Sequence, residues 1–286
     1  MKNICIMVLL GFMSSFLANS TNSKSLNLEY KTLRTSECCD VIYSDTTGNE
    51  YLREFRKKYQ LTQLITDKTS DIEKAKAILS WANSQWEHLG SNSAEENDAF
   101  YILDKVAQGE RYSCSEFATA FVTAANAVGL PARKLNLKTK DVATAKSGAG
   151  HSSAEVYLND LKKWVICDPQ NAILAFYDSI PLNAYELQLA INQYPDQIEY
   201  YYKGKAVSKD FGKQIANWFY PYLYFLDIHF DNRYPFSSKY KCKENTKLIL
   251  VPKGEAAPKV FQVHYPMKDY QTTHSVADFY QAPVFQ

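Results

Sequence analysis

The segment that most constrains this chain is the apolar stretch from Phe117 to Val128, bounded by Ser113 on one side and by Gly129 and Pro131 on the other. Phe117-Ala118-Thr119-Ala120-Phe121-Val122-Thr123-Ala124-Ala125 is apolar on most faces of a helix, so the helix must be surrounded by other protein. Gly129 suits a left-handed C-terminal cap, and Pro131 prevents continuation. Ser113 and Glu116 have the spacing of a capping box, which puts Cys114 at the first helical position. A thiol there faces the unsatisfied N–H groups and the positive end of the helix dipole. That setting favours thiolate, and a neighbouring imidazolium would favour it further. Free cysteines more often serve as small core residues. The polar flanks Arg111-Tyr112-Ser113 and Ser115-Glu116 argue instead for the exposed tip of a buried helix.

A histidine and an aspartate follow in register with each other. Ala154, Val156 and Leu158 alternate with Ser153, Glu155 and Tyr157, the pattern of a half-buried strand. Lys163-Trp164-Val165-Ile166-Cys167 reads as a second strand, with Asn159-Asp160 as a two-residue turn. If Leu158 faces Leu161, then His151 faces Asp168 directly, and the carboxylate can orient the imidazole. A loop two residues longer keeps both on one face but makes the contact diagonal, whereas an odd loop separates them. The same parity turns Cys167 to the opposite face, where packing is its expected role. Thiol, imidazole and carboxylate together are the parts of an activated-thiolate acyl-transfer site.

Cys114 with its helix ending Val128-Gly129-Leu130-Pro131-Ala132-Arg133, the Gly150-His151 strand, and Trp164-Val165-Ile166-Cys167-Asp168-Pro169 resemble the core of the transglutaminase-like superfamily. The upstream helix Asp71 to Ala82 resembles the one that usually precedes the cysteine, so the likeness covers residues 68 to 172. It implies an α+β, papain-like fold with N-terminal helices and the Cys114 helix packed on an antiparallel sheet. It also implies a Cys114, His151 and Asp168 triad. By the same resemblance the oxyanion donors would be the Cys114 backbone N–H and a side chain from the preceding region, Gln85 or Trp86. Tyr112 stands where a glycine is common, Ser153 where an aromatic is common, and Gln170-Asn171 where a threonine and an aromatic are common. These departures reshape the surroundings without removing a triad member.

Lys2, the apolar stretch Ile4 to Leu17 and the small residues Ala18-Asn19-Ser20 read as a signal peptide over 1–20, so a secreted or periplasmic protein is expected. No other segment is apolar enough to span a bilayer. A net charge of +1 gives no electrostatic case for nucleic acid. No Cys or His pair has metal-ligand spacing, and no cofactor is implied. Of the remaining cysteines, Cys38 or Cys39 could pair with Cys242, while the odd count of five leaves a thiol unpaired.

Around a core at 68–175, the polar residues 21–47 suggest a mobile lead-in, and Tyr51 to Leu64 a helix, within an N-terminal region of 21–67. Lys138 to Gly150 reads as a flexible loop before the histidine. The region 176–286 is strongly aromatic, with Tyr200-Tyr201-Tyr202 and Trp218 to Leu226, and is expected to pack on the core as an extension of its sheet. Thr246–Val251 and Lys259–Tyr265 read as strands, and some aromatics could line a groove. His88, His229, His264 and His274 have no partner in sequence. The expected chemistry is acyl transfer at amide bonds of a protein or peptide, cell-wall peptides included. The acyl-enzyme would pass its acyl group to water (amidase or peptidase) or to an amine (transglutaminase). The competing class is a non-catalytic module that binds protein or glycan.

Overall fold

A computed structural model describes residues 28–35, 38–236 and 239–286, so the expected signal peptide lies outside the described residues. Five helices precede the central sheet: α1 (Glu50–Lys58), α2 (Leu61–Ile65), α3 (Asp71–Asn83), α4 (Ala99–Val106) and α5 (Cys114–Ala127). Tyr51–Leu64 is therefore two helices, because Gln60 adopts a left-handed φ of 52° between them. α3 starts at a reciprocal capping box between Ser70 and Glu73. α5 ends as its sequence implies, with Gly129 at φ 85°.

The central sheet has six strands: β1 (Ala132–Lys138), β2 (Gly150–Leu158), β3 (Lys163–Cys167), β4 (Phe225–His229), β5 (Lys247–Leu250) and β6 (Tyr270–Thr273). Their spatial order is β6-β5-β4-β1-β2-β3, antiparallel except for the parallel β5–β6 pair. Half of the sheet thus comes from beyond residue 224. The segment expected as a strand at 259–265 forms only a short hairpin, Val260–Phe261 with Tyr265–Pro266. One edge strand is β6, whose mixed polarity gives little period-two signal.

Both faces of this sheet are covered. Ala132, Ala154, Val156, Leu158, Val165 and Cys167 pack against α5 and the helices around it. Leu135, Leu137, Trp164, Ile166, Leu226 and Ile228 form the opposite core with α6 (Ala184–Gln193) and α7 (Lys209–Phe219). The β2 alternation is therefore not that of a half-buried strand, since Ser153 and Glu155 are as buried as Ala154 and Val156. Glu155 is tolerated there because fully buried Arg133 meets its Oε2 through Nε at 3.0 Å and Nη2 at 2.6 Å.

The described part of the lead-in is fastened at residues 41–43. Val41, Ile42 and Tyr43 are fully buried, and Ile42–Tyr43 pairs with both Asp231–Asn232 and Val284–Phe285. Cys39 is disulfide-bonded to Cys242, which among the described residues leaves Cys38, Cys114 and Cys167 as free thiols. The loop between β1 and β2 is likewise anchored, with Val142 and Ala149 buried against Phe225, Ile249 and Val251. No helix of the described residues is long and apolar enough to cross a membrane.

Candidate active site

Ser113 caps α5 as its sequence implies, accepting from Ser115 N at 3.4 Å. The capping is not reciprocal, however. The Ser113 hydroxyl donates to Glu116 Oε2 at 2.7 Å, while Glu116 Oε1 accepts from Ala94 N at 3.1 Å. Glu116 thereby ties the 90–97 connection to the start of the helix. Cys114 is the first helical residue and is partly buried. Its Sγ accepts from the Ser152 N–H at 3.5 Å, so β2 presents a main-chain donor to the sulfur beside the imidazole.

The β2–β3 hairpin pairs Leu158 with Lys163 and Ala154 with Cys167. Its connection is four residues, 159–162, with Lys162 in the left-handed region at φ 50°. The two-residue turn at Asn159-Asp160 is thus corrected by two residues, an even shift that preserves the face. His151 and Asp168 consequently meet on a diagonal, through a hydrogen bond between His151 Nε2 and Asp168 Oδ2. Asp168 is held from behind, because its Oδ1 accepts from Asn171 N at 2.9 Å and its main chain bridges to Ile173. The α3 terminus steadies this turn, with Asn83 Nδ2 donating to Pro169 O at 3.2 Å and Gln170 O at 2.7 Å.

Electrostatics couple the three side chains. Burial would push the Cys114 thiol up, but the hydrogen bond and positive charge of His151, together with the Ser152 N–H, bring it below the ordinary cysteine value. Burial would make His151 less basic, yet the Asp168 charge and hydrogen bond, followed by Cys114, raise it to about 10. Both shifts favour a thiolate–imidazolium pair at neutral pH. Cys167 is on the other face, fully buried, and burial raises its thiol well above the ordinary value.

A cleft of about 1650 Å³ runs past these groups, lined by Trp86, His88, Cys114, His151, Trp218 and Tyr222 among others. Trp218 meets the His151 ring edge-on at 5.1 Å and Tyr222 lies at 5.9 Å, so α7 and the turn after it cover the imidazole. Nothing in local sequence links Trp218 or Tyr222 to His151, whereas the Ser152 donor follows simply from adjacency to it. His88 lines the cleft and feels the His151 charge, although burial is the main cause of its lowered pKa.

The two side chains considered for oxyanion binding have other work. Gln85 Nε2 donates to Trp81 O at 2.8 Å, back along its own helix end. Trp86 Nε1 donates to Tyr112 O at 3.2 Å, and its indole stacks on Phe117 at 4.1 Å. Trp86 lines the cleft and Gln85 does not, and the side-chain donors of both are engaged elsewhere. Among the described residues, no group of His, Cys, Asp or Glu side chains is arranged to hold a metal ion.

Residues 59–169 match the family model of the transglutaminase-like superfamily. Among solved structures, the chain is similar to a candidate cysteine protease of Cytophaga hutchinsonii at 13% identity and a TM-score of 0.34, covering 59% of this chain and 56% of that one. A TGase aligns at 21% identity and 0.31, covering 42% of this chain and 31% of that one. Red sea bream transglutaminase aligns at 14% and 0.30, covering 50% and 30%. The chain therefore spans little more than half of the first of these and about a third of the other two, and likenesses this weak carry nothing about activity. No curated protein matches the chain. Residues 59–169, which contain Cys114, His151 and Asp168, are thus the part of this chain that is similar to the transglutaminase-like superfamily.

Proposed function

We propose that this chain is a cysteine-dependent acyl-transfer enzyme acting on amide bonds of a protein or peptide, outside the cytoplasm. The observation that carries this reading is the convergence, in an open cleft, of a helix-tip thiol, a buried imidazole whose charge lowers that thiol's pKa, and a buried carboxylate behind the imidazole. The Cys114 thiolate attacks the carbonyl carbon, forming a C–S bond while the oxygen takes up the negative charge. The Cys114 main-chain N–H, which has no intrahelical acceptor at the first helical position, is a preorganised donor for that oxygen. His151 delivers its proton to the leaving nitrogen as the C–N bond breaks, and Asp168 holds the ring and stabilises its cationic form. The thioester then passes to water, or to a primary amine, with His151 now accepting the nucleophile's proton.

Hydrolysis is the favoured outcome, with cell-wall peptides among the candidate substrates. The Cys39–Cys242 disulfide supports an oxidising compartment, in keeping with the N-terminal segment read as a signal peptide. The test is alkylation by iodoacetamide as a function of pH, compared across the parent chain and its His151→Ala and Asp168→Ala variants. The parent thiol should react well below the pH expected of a free cysteine with pKa about 8.5, and His151→Ala should abolish that reactivity. Glutamine-bearing peptides offered with a labelled amine then separate the outcomes: amine incorporation marks a transferase, and ammonia or fragment release without it marks a hydrolase. A thiol that titrates like a free cysteine in the parent chain refutes the reading and leaves the protein- or glycan-binding alternative.

A further inference from the structure

A second cavity, of about 220 Å³, lies on the α5 face of the sheet and shares Asn136 and Lys247 with the cleft. Its floor is set by strand register. Lys134 and Asn136 on β1, His229 on β4 and Lys247 on β5 all project from the same face, since Asn136 pairs with Asp227 and His229 with Lys247. α5 supplies Thr119, Val122 and Thr123 to the facing wall, so polar side chains meet where the neighbouring core is apolar.

Lys134 and Lys247 bring two ammonium groups to the cavity, against one carboxylate, Asp98. Lys134 Nζ donates to Ser115 Oγ at 2.6 Å and Thr119 Oγ1 at 3.3 Å, both neutral. Lys247 Nζ reaches the Tyr270 hydroxyl at 3.4 Å and sits 5.1 Å from the centre of that ring. Among the described residues, neither ammonium has a carboxylate within ion-pair distance. Asp98 is the acidic residue of the lining, and its oxygens already accept from the Tyr51 hydroxyl at 2.6 Å and Tyr101 N at 3.0 Å. Glu116 faces Lys134 and Asp269 faces Lys247 electrostatically, each without forming an ion pair with it. Lys138 differs, being ion-paired with Asp227. Burial, reinforced by the Lys247 and Lys134 charges, keeps His229 neutral, and its Nδ1 is buried without a partner. Two partly desolvated ammonium groups partnered only by neutral hydroxyls favour an incoming anion. The volume holds several waters, hence a short-chain ligand.

We propose that this cavity binds a carboxylate between the Lys134 and Lys247 ammonium groups. The carboxylate is either a free short-chain acid or an acidic side chain of a peptide lying in the adjoining cleft. The second source rests on the cleft being a peptide site, whereas the first does not.

The test uses the Cys114→Ala chain, so its outcome is independent of whether the thiol is catalytic. Calorimetric titration compares succinate with its neutral counterpart succinamide, and a Glu-containing pentapeptide with its Gln counterpart. Succinate should bind and succinamide should not. Lys134→Met and Lys247→Met should each weaken succinate roughly tenfold or more, and Lys247→Arg should stay within about threefold of the parent. Unchanged thermal midpoints show that the variants are folded. If the Glu peptide binds more tightly than both succinate and the Gln peptide, the carboxylate is a substrate side chain; binding of succinate alone identifies a free acid. Equal binding of succinate and succinamide, parent-like affinity in both Met variants, or no binding of either anion overturns the proposal.

Discussion

His151 and Asp168 meet on the diagonal of a hairpin in which Ala154 pairs with Cys167, and His151 Nε2 is hydrogen-bonded to Asp168 Oδ2. The carboxylate is fixed by Asn171 N at 2.9 Å, so it arrives preoriented and not by chance of a rotamer. This contact sets the charge of the imidazole, and through it that of the thiol.

A pH dependence follows from it. The folded His151 value, raised to about 10, lies above the ordinary imidazole value of about 6.5. The pair therefore contributes stability that is complete below about pH 6.5 and is lost as pH rises through about 10. In Asp168→Asn that window should shrink toward the ordinary value. Nitrogen chemical shifts of the His151 ring, recorded from pH 5 to 11, should stay those of imidazolium at pH 8 in the parent and not in the variant.

Arg133 and Glu155 form a fully buried ion pair that binds the C-terminal region to the histidine strand. Arg133 Nη1 also donates to Phe279 O at 2.9 Å, while Glu155 Oε1 accepts from Ala184 N at 3.1 Å and the Tyr280 hydroxyl at 3.0 Å. Removing one partner strands a buried charge, so Arg133→Met or Glu155→Leu should each cost about 3–5 kcal/mol. The double variant should cost less than the sum of the two. Urea denaturation of all four proteins checks this.

Gly150 precedes His151 where a side chain has no room. A Cβ there would lie 2.6 Å from Phe261 Cε2 and 2.7 Å from Cζ. Gly150→Ala should cost about 1–3 kcal/mol as an overpacking change. Phe261→Leu, which withdraws the ring, should recover part of that loss, as a double-mutant cycle by denaturant unfolding would read.

The Cys39–Cys242 disulfide joins residues 203 apart in sequence. A loop of that length restrains the unfolded chain strongly, so Cys39→Ser should lower unfolding free energy by about 2–5 kcal/mol. Iodoacetamide reactivity of Cys114 at neutral pH should be unchanged in that variant, since neither cysteine belongs to the site.

Local chemistry was legible in the sequence. The Ser113 cap, the Cys114 position and the Gly129 stop depend on neighbours within a turn, and they stand in the structure as read. The shared face of His151 and Asp168 survived a turn two residues longer than expected, because parity tolerates an even shift. What sequence could not supply were contacts between distant segments. Whether β2 was half-buried or buried on both faces depended on α6 and α7, and on Arg133 meeting Glu155. Gln85 and Trp86 were near the cleft in sequence, yet hydrogen bonds to Trp81 O and Tyr112 O took their donors. The Trp218 cover on His151 and the Lys134–Lys247 cavity arise from strand and helix packing across more than sixty residues. Helix caps and strand parity are short-range steric rules written into adjacent residues. Burial, charge compensation and cavities are sums over the whole chain, and only the tertiary structure decided them.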